Sequence, residues 1–189
     1  MIVLKDTASH IFIDTGILGL LANPNKKGEA ADCEQWLLGL LSTGVSVLTS
    51  DICDYEVRRS LILESLRKPN INSVNSLDEL QELITFLPID NEVMRNAASL
   101  WAEARIKGVP TAENKSLDAD IIICAEARPA QYKLLEQEYP GRYIVIATTN
   151  VKHLDRFTEA KEWQEIEFRE EEPFPLDDFT DFKYFPERF

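Results

Sequence analysis

His10-Ile11-Phe12-Ile13-Asp14-Thr15-Gly16-Ile17-Leu18-Gly19-Leu20-Leu21-Ala22-Asn23-Pro24 decides how the rest of this chain is read. Ile11 to Ile13 form a short apolar run with the length of a buried strand. Asp14 ends it, and an apolar pattern at helical spacing begins almost at once, from Gly16 to Ala22. A carboxylate at the C-terminal end of a buried strand costs desolvation energy unless a donor, a cation or a substrate compensates. In open parallel sheets, ligands collect outside the carboxyl ends of the strands. Asp14 is therefore a candidate site residue. Its competing role is to cap the following helix, which Asp does well.

Working outward, the same punctuation recurs. Val45 to Leu48 is a short strand ending in Thr49-Ser50, and Ser50 suits the N-cap of a helix from Asp51 to Leu66. Tyr143 to Ala147 is a continuous apolar run, as a strand buried on both faces requires. It ends in Thr148-Thr149-Asn150. Helical spacing marks 29–41, 76–86 and 91–106, the last capped by Asp90, and again 117–127. Pro129 predicts the start of a separate helix through Glu138, because proline suits a first turn. Phe86 to Ile89 reads as a brief strand, 159–163 as helix and 164–168 as an edge strand. Strands alternating with helices imply a parallel sheet covered on both sides, a three-layer α/β/α sandwich.

The chain has 189 residues and an apolar fraction of 44%, enough for one good core. Residues 1–168 are expected to form that domain. Residues 169–189 differ in kind: seven acids, three bases, three prolines, five phenylalanines and Tyr184 read as an acidic, aromatic arm. The net charge of −13 argues against a broad basic nucleic-acid-binding face and suits a protein that gathers divalent cations or meets a basic partner. Acids still outnumber bases by 26 to 17 once the arm is set aside. Cys33, Cys53 and Cys124 have no zinc or redox spacing, which is the pattern of reduced thiols in a cytoplasmic protein. No apolar run is long enough to span a bilayer, so no membrane association is expected.

Two helices add acids near the same sheet edge. Glu56 sits at the margin of the buried stripe of 51–66, where it could equally pair with Arg58 or Arg59. Asp120 occupies the corresponding margin of 117–127. Asp118, two positions earlier, points elsewhere on a regular helix and suits a first-turn dipole role. Taken together, Phe12-Ile-Asp-Thr-Gly-Ile-Leu18, Tyr55-Glu-Val-Arg-Arg-Ser-Leu61, Ala119-Asp-Ile-Ile-Ile-Cys-Ala-Glu-Ala127 and Ile144-Val-Ile-Ala-Thr-Thr-Asn-Val-Lys-His-Leu154 resemble the PIN domain family in order and spacing. The likeness is to its VapC-like toxin ribonucleases and covers roughly 10–167.

That resemblance implies a metal-dependent endoribonuclease hydrolysing RNA phosphodiesters, the toxin of a type II toxin–antitoxin pair. The implied cofactor is Mg²⁺ or Mn²⁺, held by Asp14, Glu56 and Asp120. The implied partners are an antitoxin protein and a second copy of the chain. The family's fourth acidic position falls near Asn150, a neutral amide here, and Asp118 is the available substitute for the missing charge. Thr15, Thr49 or Thr149 would orient water or phosphate. Asn150, Arg58, Arg59, Lys115 and Lys152 are the candidate RNA contacts. His153 reads as a satisfied surface or loop residue rather than a catalytic base. The acidic balance and Asn150 also support a second reading, a PIN-like module that binds RNA or a protein without cutting. A haloacid-dehalogenase-type phosphatase would need a second Asp where this chain has Gly16, and no glycine-rich phosphate loop follows the first strand.

Overall fold

The computed structural model describes residues 2–4, 10–67, 73–108, 118–136 and 144–168. The expected arm at 169–189 lies outside the described residues, as do Lys115 and the loop around it. The central sheet has five strands, all parallel, in the order β4-β3-β2-β5-β6. These are β2 (His10–Ile13), β3 (Ser46–Ser50), β4 (Thr85–Leu87), β5 (Ile144–Thr148) and β6 (Ala160–Glu162). Ile11 pairs with Val47 on one side of β2 and with Val145 on the other. Every residue of β5 is buried. Since successive side chains point to opposite faces, both faces of the sheet must be covered, and they are. The architecture is the α/β/α sandwich expected from the alternation of elements.

The helices are α1 (Thr15–Leu21), α2 (Glu29–Ser42), α3 (Asp51–Arg67), α4 (Ser73–Leu80), α5 (Asn91–Ile106), α6 (Ala119–Glu136) and α7 (Val151–Leu154). Asp90 caps α5 as the sequence indicates, its carboxylate accepting from Glu92 N and Val93 N at 2.8 Å each. From β2 the chain winds out through β3 and β4, then returns to the other side of β2 as β5. The carboxyl ends of β2 and β5 therefore flank the point where strand order reverses, the place where such sheets hold ligands.

Four local expectations are corrected. Pro129 does not begin a new helix, because α6 runs through it from Ala119 to Glu136. A proline inside a helix forfeits one backbone bond and crowds the preceding turn, at a cost of about 3 kcal/mol. Residues 159–163 are not helical: β6 takes 160–162, and a 3₁₀ turn follows at Trp163–Glu165. Ala160 aligns with Ile146 of β5, so an open sheet edge recruited a segment too short to show strand periodicity. The helix expected over 76–86 is displaced to Ser73–Leu80. The N-terminal strand β1 (Ile2–Leu4) was not anticipated. It pairs in parallel with β7 (Ile166–Phe168) as a separate two-stranded sheet.

Trp36 of α2 ties that second sheet to the domain. Its indole N–H donates to the Ile166 carbonyl at 3.1 Å, and its ring meets Trp163 edge-on with centroids 5.7 Å apart. Replacing Trp36 by Phe should keep most of the packing but strand a buried carbonyl. The expected loss is ~1–3 kcal/mol in a urea titration, with β1 and β7 showing the largest gain in amide exchange.

Candidate functional site

Asp14 leaves β2 with its backbone N–H still bonded to the Ala147 carbonyl of β5, at 3.2 Å. It then serves as the N-cap of α1, Oδ1 accepting from Ile17 N at 2.9 Å. Its other oxygen, Oδ2, accepts from the Thr148 hydroxyl at 2.5 Å. Capping and site roles therefore do not exclude each other: one oxygen holds the helix, and the other faces the end of β5. Burial pushes the Asp14 carboxyl up to about 6, against the pull of the Thr148 and Ile17 hydrogen bonds, and the Asp120 charge adds to the rise. Gly16 lies tight against this corner. A Cβ there would sit 2.7 Å from Thr149 Oγ1 and 3.3 Å from Asp14 Oδ1.

Thr148 emerges as a residue the sequence reading passed over. It is buried, donates to Asp14, and accepts from Asn150 N at 2.8 Å. One hydroxyl thus fixes both the strand-end acid and the turn that carries Thr149 and Asn150, both exposed at the edge. Thr148→Val would keep the shape and delete the donor. The expected result is a stability loss of ~1–3 kcal/mol at pH 7 by thermal melt, because a buried carboxylate loses its strongest compensating hydrogen bond.

Asp120 faces the same corner from the first turn of α6. Burial raises its carboxyl, His153 opposes the rise, and Asp118 and Glu56 add to it. His153 Nδ1 lies 3.1 Å from Asp120 Oδ2. His153 is thus a part-exposed residue with its hydrogen bonding satisfied, and α7 turns its imidazole back onto an acid of the cluster. Asp118 is the buried residue just before α6, and Oδ1 accepts from Ile121 N at 3.3 Å, an N-cap position.

Glu56 stands on α3, whose first turn follows the end of β3. Thr15 Oγ1 donates to Glu56 Oε2 at 2.9 Å, and Arg59 reaches Oε1 at 3.2 Å. Glu56 thus partners Arg59, and its charge also acts on Asp120. Arg58 turns away to Asp54 and Asp78, each at 2.8 Å, so its charge is already matched. Thr49 is buried and donates to the Ile13 carbonyl at 3.0 Å, which removes it from the edge where a phosphate could lie. Lys152 is exposed beside Asn150.

Asp14, Asp120 and Glu56 are therefore electrostatic neighbours at one sheet edge. Among the described residues, however, no group of three Asp, Glu, His or Cys side chains is close enough together to hold a metal ion. The donor chemistry still suits a hard divalent cation. Mg²⁺ keeps several waters and leans on one or two carboxylates, and two raised carboxyls facing each other call for positive charge. The three cysteines are free and buried, and burial pushes the thiols of Cys33 and Cys53 up to about 12, so none is a reactive group at neutral pH. No helix among the described residues is long and apolar enough to cross a membrane.

No family model and no curated protein matches the sequence. Solved structures do. VapBC2 from Rickettsia felis, bound to a DNA fragment from its promoter, matches with a TM-score of 0.56 and 18% identity, over 82% of this chain and 98% of that one. VapBC-1 from nontypeable Haemophilus influenzae matches with a TM-score of 0.53, again at 18% identity and over 82% and 98%. At that identity the likeness is one of fold, and it agrees with the order of motifs along the chain: this protein has the PIN-like α/β/α fold of the VapBC structures.

Proposed function

We propose that this protein is a Mg²⁺- or Mn²⁺-dependent endoribonuclease that hydrolyses RNA phosphodiester bonds, and that it is the toxin of a toxin–antitoxin pair. The observation that carries the reading is the buried strand-end carboxylate of Asp14, close enough to Asp120 to feel its charge, beside the point where the strand order reverses. Asp14 and Asp120 would hold the ion, with Glu56 at its margin. When bound, such an ion neutralises the acids, lowers the pKa of an attacking water and stabilises charge developing at phosphorus.

The chain's own residues supply the positioning. Thr148 locks Asp14, Thr15 orients Glu56, and His153 fixes the face of Asp120. Thr149, Asn150 and Lys152 line the exposed edge where the phosphate backbone would lie, Lys152 adding attraction without sequence preference. An antitoxin is the proposed partner, a reading supported by the VapBC proteins among the structures of the same fold.

One observation favours the second reading, a PIN-like module that binds without cutting: no three candidate ligands close on a single point among the described residues. A mixed RNA pool incubated with Mn²⁺ and with EDTA, beside a calorimetric Mn²⁺ titration, separates the two. The nuclease reading expects cutting that EDTA abolishes and Mn²⁺ binding at millimolar concentration or tighter. Cutting that persists in EDTA defeats the metal mechanism. A protein that neither cuts nor binds Mn²⁺ belongs to the second reading.

A further inference from the structure

α3 carries more apolar side chains than it buries. Ile52, Cys53 and Val57 are buried against the domain. The side next to them, shared with Ile52 in the first turn, carries Tyr55 at 52% exposed, Ile62 at 46%, Leu63 at 49% and Leu66 at 76%. At 100° per residue these four fall within an arc of about 100°, as wide as the stripe by which a helix normally faces a core. Arg59 lies inside the same arc, its guanidinium 5.2 Å above the Tyr55 ring. The other exposed large apolar residues described, Leu38, Leu83, Met94 and Ile106, are scattered over separate elements, which is ordinary for a soluble surface. The α3 residues instead lie along one side of a single helix, each about half exposed or more.

We propose that the C-terminal segment 169–189 of the same chain docks on this face of α3 through its aromatic side chains. The segment has what the face lacks: Phe174, Phe179, Phe182, Tyr184, Phe185 and Phe189, interleaved with acids at a net charge of −4. The face offers Arg59 within the stripe and the exposed Arg67 at its end. Twenty-one residues span up to roughly 70 Å when extended, against a radius of gyration of about 15 Å for a domain of this size, so every face is within reach from Phe168. The exposed apolar area of the stripe is on the order of 400 Å², about half of what each partner contributes to a stable dimer. It suffices for a tethered segment, whose effective concentration is millimolar. Since Arg59 also reaches Glu56, the docked segment lies at the lip of the acidic edge. The docking itself is independent of whether the protein cuts RNA.

Full-length protein carrying a photo-cross-linking benzoylphenylalanine in place of Leu66 tests this directly. Light and ¹⁵N-labelled chains are mixed before irradiation, and the cross-linked peptides are mapped by mass spectrometry. The expected product joins position 66 to a peptide from 169–189 of the same isotopic chain. Cross-links to any segment of the other isotopic chain would mean that a second copy covers α3 and would overturn the proposal, as would the absence of any link to 169–189. A second measurement uses chymotrypsin, which cuts after Phe and Tyr. Leu66→Asp and Ile62→Asp replace exposed residues and should leave the melting transition in place while cleavage within 169–189 accelerates about tenfold, the change expected for losing one well-buried apolar contact. Equal cleavage rates in wild type and variants would count against docking.

Discussion

Asp14→Asn should reduce RNA cutting by at least about a hundredfold, as is usual when a group that stabilises transition-state charge is removed. The substitution keeps the shape, and Asn caps a helix as well as Asp does, so Ile17 N retains its acceptor. At neutral pH the fold should not weaken, because a carboxylate that burial has driven up to about 6 is no longer being ionised. Loss of activity with stability retained is the signature expected of a site residue, and it distinguishes this change from damage to the core. Mn²⁺ binding should fall in parallel. Asp118→Asn should do less harm, since its side chain already serves Ile121 N as a cap. An Asp14→Asn protein that cuts at the wild-type rate would remove Asp14 from the mechanism.

The second large effect concerns Glu126, an acid on α6 outside the proposed site. Burial pushes its carboxyl up to about 7, against a hydrogen bond from Ser50, and the charges of Asp51 and Asp90 add to the rise. Its Oε2 is buried with no hydrogen-bond partner among the described residues. A carboxyl raised in the fold binds its proton more tightly there than in the unfolded chain. Its contribution to stability is therefore complete below about 4.5 and is lost as pH rises through about 7. Wild-type stability should fall between pH 5 and pH 8 by about 2 kcal/mol from this group, a figure reduced for its partial exposure. Glu126→Gln cannot ionise. Whatever the amide costs is the same at every pH, so the difference in slope isolates the carboxyl. Thermal melts of both proteins across that range should diverge by several degrees at the alkaline end. Parallel curves would show that Glu126 ionises as freely in the fold as in the unfolded chain.

Much of the frame was legible along the chain because its signals are local. Ile11 to Ile13 and Ile144 to Ala147 are apolar runs of strand length, and Asp90 announces a helix directly. Asp14 stood out because a carboxylate at a strand end is unusual whatever its neighbours are. Glu56 and Asp120 followed from position on a helical stripe, another local property. The elements that went wrong depend on distant partners. β1 and β6 are three residues each and exist because β7 and β5 offer them an edge. Pro129 stays helical because the surrounding helix outweighs the loss of one backbone bond.

The site shows the same division. The sequence by itself determined an alternating α/β chain with Asp14 at the carboxyl end of a buried strand and further acids on helix margins, since strand length, helical period and capping preference are written in neighbouring residues. Tertiary structure alone decided that Thr148, 134 positions from Asp14, would hold its carboxylate, that His153 would turn onto Asp120, and that Thr49 would face the core. A hydroxyl or imidazole has no preferred partner until strand order and register bring one within hydrogen-bonding distance, and those are fixed only when the whole sheet closes.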